Sequence, residues 1–141
     1  MRTRELNGHK EIFDPLRKKY VALTPEEKVR QDLIEFLNIA KKVPLHMMAC
    51  ERGLTVNTLS KRFDLVIFGK DGNPVLIAEC KAPHIPLNED VFYQAARYNL
   101  ALQVNYLLIT NGLEMQCIFV DYETGTSSFL AEIPDYNQLK L

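Results

Sequence analysis

The first long hydrophobic pattern in the chain has the period of an amphipathic helix. Its apolar residues recur every three or four positions and are Val29, Leu33, Phe36, Leu37 and Ala40. The residues just before them, 24–27, read Thr-Pro-Glu-Glu, which is typical of a helix start. Thr24 suits the N-cap, Pro25 the first turn, and Glu27 the reciprocal acid of a capping box. The pattern predicts a helix that begins near Pro25 and ends before residue 44.

From residue 45 onward the apolar residues form short continuous runs of the kind found in buried strands. The runs cover residues 45–49, 62–68, 75–81, 106–110, 115–120 and 128–133. A second helix, capped near Asn88 and ending near Gln103, separates the third run from the fourth. This order predicts an α/β fold with a single mixed β-sheet flanked by helices. Residues 1–23 are polar and are predicted to form an N-terminal arm packed on the domain that spans residues 24–141.

The composition is that of one globular domain. The chain has 141 residues, of which 47% are hydrophobic and 25% are charged. A domain of this length folds without disulfides or a structural metal. No apolar stretch approaches the roughly 20 residues of a membrane span, so we expect a cytoplasmic protein without a membrane partner. The chain has three cysteines. This odd number favours their interpretation as small hydrophobic side chains of the core in a reducing compartment.

The charges are unevenly distributed along the chain. Residues 1–62 hold 13 basic and 8 acidic side chains, whereas residues 63–141 hold 4 basic and 10 acidic ones. Such a separation can indicate a polyanionic partner on one side and acids collected for a metal on the other. Charge alone favours a simpler interpretation, which is a solvated helix surface.

Charged residues interrupt two of the predicted strands. Asp64 lies within the second apolar run, and Glu79 and Lys81 lie at the end of the third. Burying an unpaired charge is costly, so these positions need charged partners or a metal ion. Because side chains alternate along a strand, Glu79 and Lys81 share a side. A hairpin through residues 69–74 brings Asp64 towards Glu79.

Two interpretations of this group follow from its spacing. Two carboxylates are the ligands that Mg²⁺ binds while it keeps most of its waters, and an ammonium beside them can orient water or stabilise charge on a phosphodiester. Alternatively, Glu79 and Lys81 form a buried ion pair and Asp64 is an acid at a strand end. Spacing supports the two equally. If Asp64 and Glu79 repel each other without metal, replacing Asp64 by alanine is expected to stabilise the apo protein.

The same residues resemble a known signature. Asp64 followed by Glu79-Cys80-Lys81 resembles the D…ExK core of the PD-(D/E)XK nuclease superfamily, and residues 94–98 resemble its QxxxY motif. Wider stretches resemble the N-terminal domain of type I restriction enzyme R subunits, in a short stand-alone form. These stretches are residues 12–15, 24–31, 79–83, 94–99 and 106–112. R subunits carry an ATP-driven translocase after this domain, but the chain has no Walker-type loop, so ATP-dependent restriction is not expected of this polypeptide alone.

The resemblance implies a restriction-endonuclease-like fold with an α-β-β-β-α-β core. It implies an endonuclease that uses Mg²⁺ or Mn²⁺ to hydrolyse phosphodiester bonds of DNA in restriction or repair. Asp64 and Glu79 would bind the metal, Lys81 would be the catalytic lysine, and Gln94 would reach the site from the second helix. Phe63 stands where the superfamily name has proline, a position that the superfamily holds loosely.

Further site residues follow from the same resemblance. The superfamily often adds a metal-binding glutamate from the first helix, and Glu26 is favoured slightly over Glu27 because it is in register with the apolar helix face. A plain first-turn acid, stabilised by the helix dipole, explains Glu26 almost as well. Contacts with DNA are expected from Tyr98, Arg30 and Arg97.

DNA is the expected partner in this interpretation. Cutting both strands also requires a second copy of the chain, or a separate motor or specificity protein, because one site acts on one strand at a time. The alternative is a catalytically silent module with the nuclease fold that binds nucleic acid or a protein partner. The complete set of Asp64, Glu79, Lys81 and Gln94 favours the enzyme.

Overall fold

Two β-sheets and two α-helices make up most of the part of the chain that the structure describes. The computed structural model describes residues 1–56 and 59–139, and their side chains except those of residues 55, 56, 59–61, 98 and 101. The helices are α1 (Pro25–Ile39) and α2 (Glu89–Leu102). Two short 3-10 helices cover Leu45–Met47 and Tyr136–Gln138.

The strands divide into an N-terminal sheet and a larger central sheet. The N-terminal sheet contains β1 (Thr3–Leu6), β2 (His9–Asp14) and β3 (Lys19–Ala22), all antiparallel. The central sheet contains β4 (Met48–Val56), β5 (Leu59–Phe68), β6 (Pro74–Cys80), β7 (Tyr106–Thr110), β8 (Met115–Asp121) and β9 (Thr126–Leu130). Its spatial order follows the sequence from β4 to β9.

Parallel and antiparallel pairs coexist in the central sheet because of α2. Strands β6 and β7 are parallel, whereas the other four neighbouring pairs are antiparallel. Parallel neighbours need a crossover connection, and α2 supplies it. The predicted single mixed sheet flanked by helices is therefore confirmed, with a separate N-terminal sheet added to it.

Each face of the central sheet is covered by one helix. On one face, α1 packs Val29, Leu33 and Leu37 against alternate residues of β5, β6 and β7. On the other face, Ala95 of α2 packs against Phe63, Val66, Ile77, Leu107 and Ile109. The central strands β6 and β7 are buried on both sides, which explains their continuous apolar sequences. The two helices therefore lie on opposite faces of the strands that carry Asp64 and Glu79.

Three local predictions need correction. The N-terminal arm is a three-stranded sheet that buries Ile12, because alternating residues of β2 face inward. Residues 45–47 form a 3-10 helix, and the strand begins only at Met48 and continues through polar residues to Val56. The last strand ends at Leu130, before the predicted limit of residue 133. Among the described residues, no helix is long and apolar enough to cross a membrane.

Candidate active site

The pairing of β5 with β6 brings Asp64 to the end of β6. The strands are antiparallel, and their register ends at the pair of Leu65 and Ala78, one residue before Asp64 on β5 and one residue before Glu79 on β6. The backbone N–H of Cys80 donates a hydrogen bond of 2.7 Å to Oδ2 of Asp64. The Asp64 carboxylate therefore lies against the strand that carries Glu79, as predicted from the sequence.

Glu79 and Lys81 lie where β6 ends beside β7. Glu79 is buried and lies beside Ile109 in the parallel register. Lys81 is half-buried, and its backbone N–H donates to the carbonyl of Thr110 at 2.8 Å, which extends the strand pairing by one residue. None of the ion pairs among the described residues joins Glu79 to Lys81. The alternative of a buried ion pair between them stays a prediction.

Arg30 is the cation that pairs with Asp64. Its Nη2 donates to Oδ1 of Asp64 at 3.2 Å, and its Nη1 donates to Oε1 of Glu27 at 3.3 Å and lies 3.6 Å from Oε1 of Glu51. Burial alone would lower the pKa of Arg30, but Glu27 and Asp64 hold it above its usual value. The side chain is only 7% exposed. This placement does not support the prediction that Arg30 contacts DNA phosphates, because the guanidinium is directed towards carboxylates of the protein.

The two glutamates in the first turn of α1 have different surroundings. The N–H of Glu27 donates to Oγ1 of Thr24 at 3.0 Å, which confirms the predicted N-cap. The Glu27 carboxylate is buried and accepts hydrogen bonds from Arg17, Arg30 and Gln31. Its prediction as the acid of a capping box is wrong, since two guanidinium groups bind it instead. Glu26 is exposed.

The thiol of Cys80 reflects the negative charge around this site. Burial raises the pKa of Cys80, and the carboxylates of Asp64, Glu79 and Glu26 raise it further, while Arg30 acts in the opposite direction. Glu26 therefore contributes to the same local field as the two strand acids. Among the described residues, however, Glu26 does not form a group of three with Asp64 and Glu79 that could hold a metal, so its prediction as a third metal ligand is not supported.

The cysteines are expected to be nearly unreactive in the folded protein. Burial raises the pKa of Cys117 to about 11 and that of Cys50 to about 12. Because the thiolate is the reactive form, reaction with a disulfide reagent at about pH 8 should be roughly 10²-fold slower than in guanidinium chloride. The absorbance of the thiolate that the reagent releases measures the reaction rate with and without guanidinium chloride. A cysteine that reacts equally fast in both solvents would contradict the burial of these thiols.

Helix α2 carries the remaining predicted residues. Gln94 and Arg97 are exposed. No hydrogen bond joins Gln94 to Lys81 in the described part of the chain, and the role of Gln94 stays a prediction. Tyr98 belongs to α2, but its side chain lies outside the described residues. Exposure of Arg97 leaves it free to meet a phosphate.

The donor chemistry of Asp64 and Glu79 fits Mg²⁺ or Mn²⁺. Carboxylate oxygens are hard ligands, and Mg²⁺ is commonly held by one or two of them together with waters. Each oxygen of Asp64 accepts one hydrogen bond, from Arg30 or from Cys80, and so keeps a further lone pair. Within residues 1–56 and 59–139, no group of three or more His, Cys, Asp or Glu side chains is arranged to hold a metal. The site therefore offers a pair of carboxylates.

Sequence reasoning missed Arg17 and Asp14. Nη2 of Arg17 donates to Oε1 of Glu27 at 2.8 Å, and Nε of Arg17 donates to the carboxylate of Asp14, which is fully buried. The spacing of Glu27, Arg30 and Gln31 was an available signal, because residues three and four apart on a helix share a face. It indicated a polar stripe on α1 that needed a partner.

Solved structures of at least two proteins share the fold. One is a fragment provisionally described as an HsdR subunit of a type I restriction enzyme from Vibrio vulnificus YJ016, with a TM-score of 0.55 and 19% identity over 82% of this chain. This chain spans 24% of that structure. The other, from Anabaena variabilis ATCC 29413, is provisionally described as a nuclease belonging to DUF820. It has a TM-score of 0.53 and 12% identity over 99% of this chain and 86% of its own.

These likenesses confirm the predicted nuclease-like fold. Because the sequence identities are only 19% and 12%, the likenesses bear on the fold alone. A search of curated proteins found no match. A family model agrees with the sequence over residues 25–134, which include both helices, the central sheet and the Asp64, Glu79 and Lys81 positions. The chain therefore belongs to the family described as the type I restriction enzyme R protein N terminus (HSDR_N).

Proposed function

We propose that this nuclease-like domain is a Mg²⁺- or Mn²⁺-dependent endonuclease that hydrolyses phosphodiester bonds of DNA without ATP. One observation carries the proposal. The Asp64 carboxylate accepts a hydrogen bond from the backbone N–H of Cys80, the residue that lies between Glu79 and Lys81 in the sequence. Two carboxylates and an ammonium at the end of one strand pair are the groups that phosphodiester hydrolysis requires.

Each residue has a proposed role in the reaction. Asp64 and Glu79 would hold the metal. When bound, the metal supplies Lewis acidity towards the phosphate and a water molecule. Lys81 orients the attacking water or stabilises the added negative charge as the new oxygen–phosphorus bond forms and an ester bond breaks. Gln94 is proposed to reach the site from α2 once DNA is bound, because it is exposed without DNA.

DNA contacts outside the site are proposed for α2. Arg97 is exposed on this helix, and Tyr98 is one residue further along. Contacts with the phosphates of the DNA backbone release counterions, so DNA binding should weaken as the salt concentration rises. A single site acts on one strand at a time, so double-strand cleavage requires a second copy of the chain or a separate motor or specificity protein.

A plasmid cleavage assay tests the proposal. Purified full-length protein is incubated with supercoiled and linear DNA in the presence of Mg²⁺, Mn²⁺ or a chelator, without ATP. We expect open-circular product to form before linear product with either metal, and no product with the chelator. The Glu79→Gln variant, which keeps the side-chain size and removes the charge, is expected to leave the supercoiled DNA intact.

The alternative function predicts a different result in the same assay. A catalytically silent member of the fold would bind DNA or a protein partner and leave the plasmid unchanged under every condition. Equal nicking by the wild type and by Glu79→Gln would identify a contaminating nuclease. Either result would replace the enzyme proposal with the binding module, and a gel-shift measurement would then show whether DNA is its partner.

A further inference from the structure

A chain of ion pairs runs from the N-terminal sheet to the proposed metal ligand Asp64. Arg17 follows β2 and binds Asp14 and Glu27, with 2.8 Å from its Nη2 to Oε1 of Glu27. Arg30 donates to that same Oε1 at 3.3 Å and, through its other terminal nitrogen, to Oδ1 of Asp64 at 3.2 Å. Two arginines therefore share one glutamate, and the second of them reaches Asp64 on β5.

Burial fixes the orientation of the side chains in this series of ion pairs. The side chains of Glu27 and Arg30 are 10% and 7% exposed, and that of Asp14 is not exposed at all. Charged hydrogen bonds in such surroundings are strong and fix the orientation of the planar guanidinium group. The Nε atom of Arg30 is buried without a hydrogen-bond partner. Since an unsatisfied buried donor is costly, the bonds to Glu27 and Asp64 must determine how this guanidinium lies.

Asp64 is held on both of its oxygens as a result. Arg30 binds Oδ1, and the Cys80 amide binds Oδ2. A carboxylate with both oxygens fixed cannot rotate, and the positions of its remaining lone pairs are set. Arg30, which fixes Oδ1, is connected to the N-terminal sheet through Glu27 and Arg17.

We propose that Arg30 and Arg17 are positioning residues for Asp64. The N-terminal sheet, Thr3–Ala22, is thereby a working part of the active site although it precedes the region matched by the family model. This inference rests on the proposed endonuclease function. It identifies Arg30 as the residue that orients the ligand and Arg17 as the residue that holds Arg30 in place through Glu27.

Steady-state cleavage and metal binding together test the proposal in the full chain. The variants are Arg17→Met and Arg30→Met, and Arg4→Met is the control because Arg4 makes an exposed ion pair with Glu11 in the same N-terminal sheet. We expect kcat to fall about tenfold or more in the first two variants, the usual effect of losing a residue that orients a ligand. The KM for DNA should change little, and Arg4→Met should match the wild type.

Mn²⁺ binding without DNA, measured by calorimetry, separates positioning from a structural role. Arg30→Met removes a positive charge beside Asp64, so its Mn²⁺ affinity should stay equal or increase while kcat falls. Arg30→Lys keeps the charge but cannot bridge Glu27 and Asp64 as a planar group, so it should not restore kcat. Parallel loss of thermal stability, Mn²⁺ affinity and kcat would show a structural role and overturn the proposal, as would full activity of Arg30→Lys.

The outcomes also separate this inference from the function on which it rests. If the wild type does not cleave DNA with any metal, the proposed function fails and this inference fails with it. If the wild type cleaves and Arg17→Met behaves like Arg4→Met, the inference alone is overturned. Where Arg30→Met does not fold, Glu27→Gln replaces it, because it breaks the link between the two arginines at nearly constant volume. Unchanged kcat in Glu27→Gln overturns the proposal equally.

Discussion

Replacing Asp64 by alanine is expected to abolish metal-dependent cleavage and to destabilise the apo protein. The metal contribution to such reactions is several kcal/mol, so activity should fall about 10³-fold or more. The Cys80 amide would lose its acceptor and Arg30 one of its carboxylate partners. The free energy of unfolding should fall by about 2–3 kcal/mol, because Arg30 keeps Glu27 while the Cys80 donor is left unsatisfied. Plasmid nicking and urea denaturation measure the two effects.

The structure and the sequence alone predict opposite directions for this stability change. Repulsion between Asp64 and Glu79 predicted that the alanine variant would be more stable without metal. The structure reverses the sign, because Arg30 already neutralises Asp64 in the absence of metal. An alanine variant as stable as the wild type, or more so, would contradict the Arg30–Asp64 pair.

Two further variants separate charge from hydrogen bonding. Asp64→Asn keeps an oxygen that can accept from Cys80 but removes the charge, so it should lose activity fully and stability only in part. Asp32→Ala is the matched control, because Asp32 lies in an exposed ion pair with Lys28 on α1. Such surface pairs contribute about 0.5 kcal/mol or less, so this control should stay close to the wild type.

Strand patterns made the central part of the site predictable. Continuous apolar runs in β6 and β7 required burial on both faces, and charges at the ends of such runs are rare enough to be informative. The turn between β5 and β6 then determined which acids would meet. The proximity of Asp64 to the segment that carries Glu79 and Lys81 could be predicted from the local sequence and from one hairpin. The local sequence and the hairpin are both short-range features.

The surroundings of the site depended on long-range packing and were not predicted. Glu27 was assigned to a helix cap because it lies in the first turn of the predicted helix, and Arg30 was assigned to a DNA surface because of its charge. In the structure both are buried, since the N-terminal sheet covers that side of α1 and brings Arg17 to Glu27. The polar sequence of residues 1–23 gave no strong strand signal, so this cover was expected only as an N-terminal arm packed on the domain.

Replacing Lys81 by alanine is the second change with a large expected effect. The Lys81 backbone is fixed at the end of β6 by its bond to Thr110, and no ion pair of the described residues uses its ammonium. In the proposed mechanism, that ammonium acts on the reacting groups beside Glu79. Removing one such stabilising group should lower kcat by about 10²–10³-fold. Single-turnover cleavage with Mg²⁺ measures the loss.

DNA binding should survive the same change. One phosphate contact contributes little beside the remaining contacts with the DNA backbone, so the affinity of Lys81→Ala for DNA should stay within about threefold of the wild type. Lys81→Arg is expected to remain inactive, because a planar guanidinium does not replace a compact ammonium beside a metal site. Lys70→Ala is the matched control, since Lys70 is exposed in the turn at the opposite end of β6. If Lys81→Ala cleaves as fast as Lys70→Ala, Lys81 has no part in the chemistry, and Asp64 and Glu79 would have to act without a lysine.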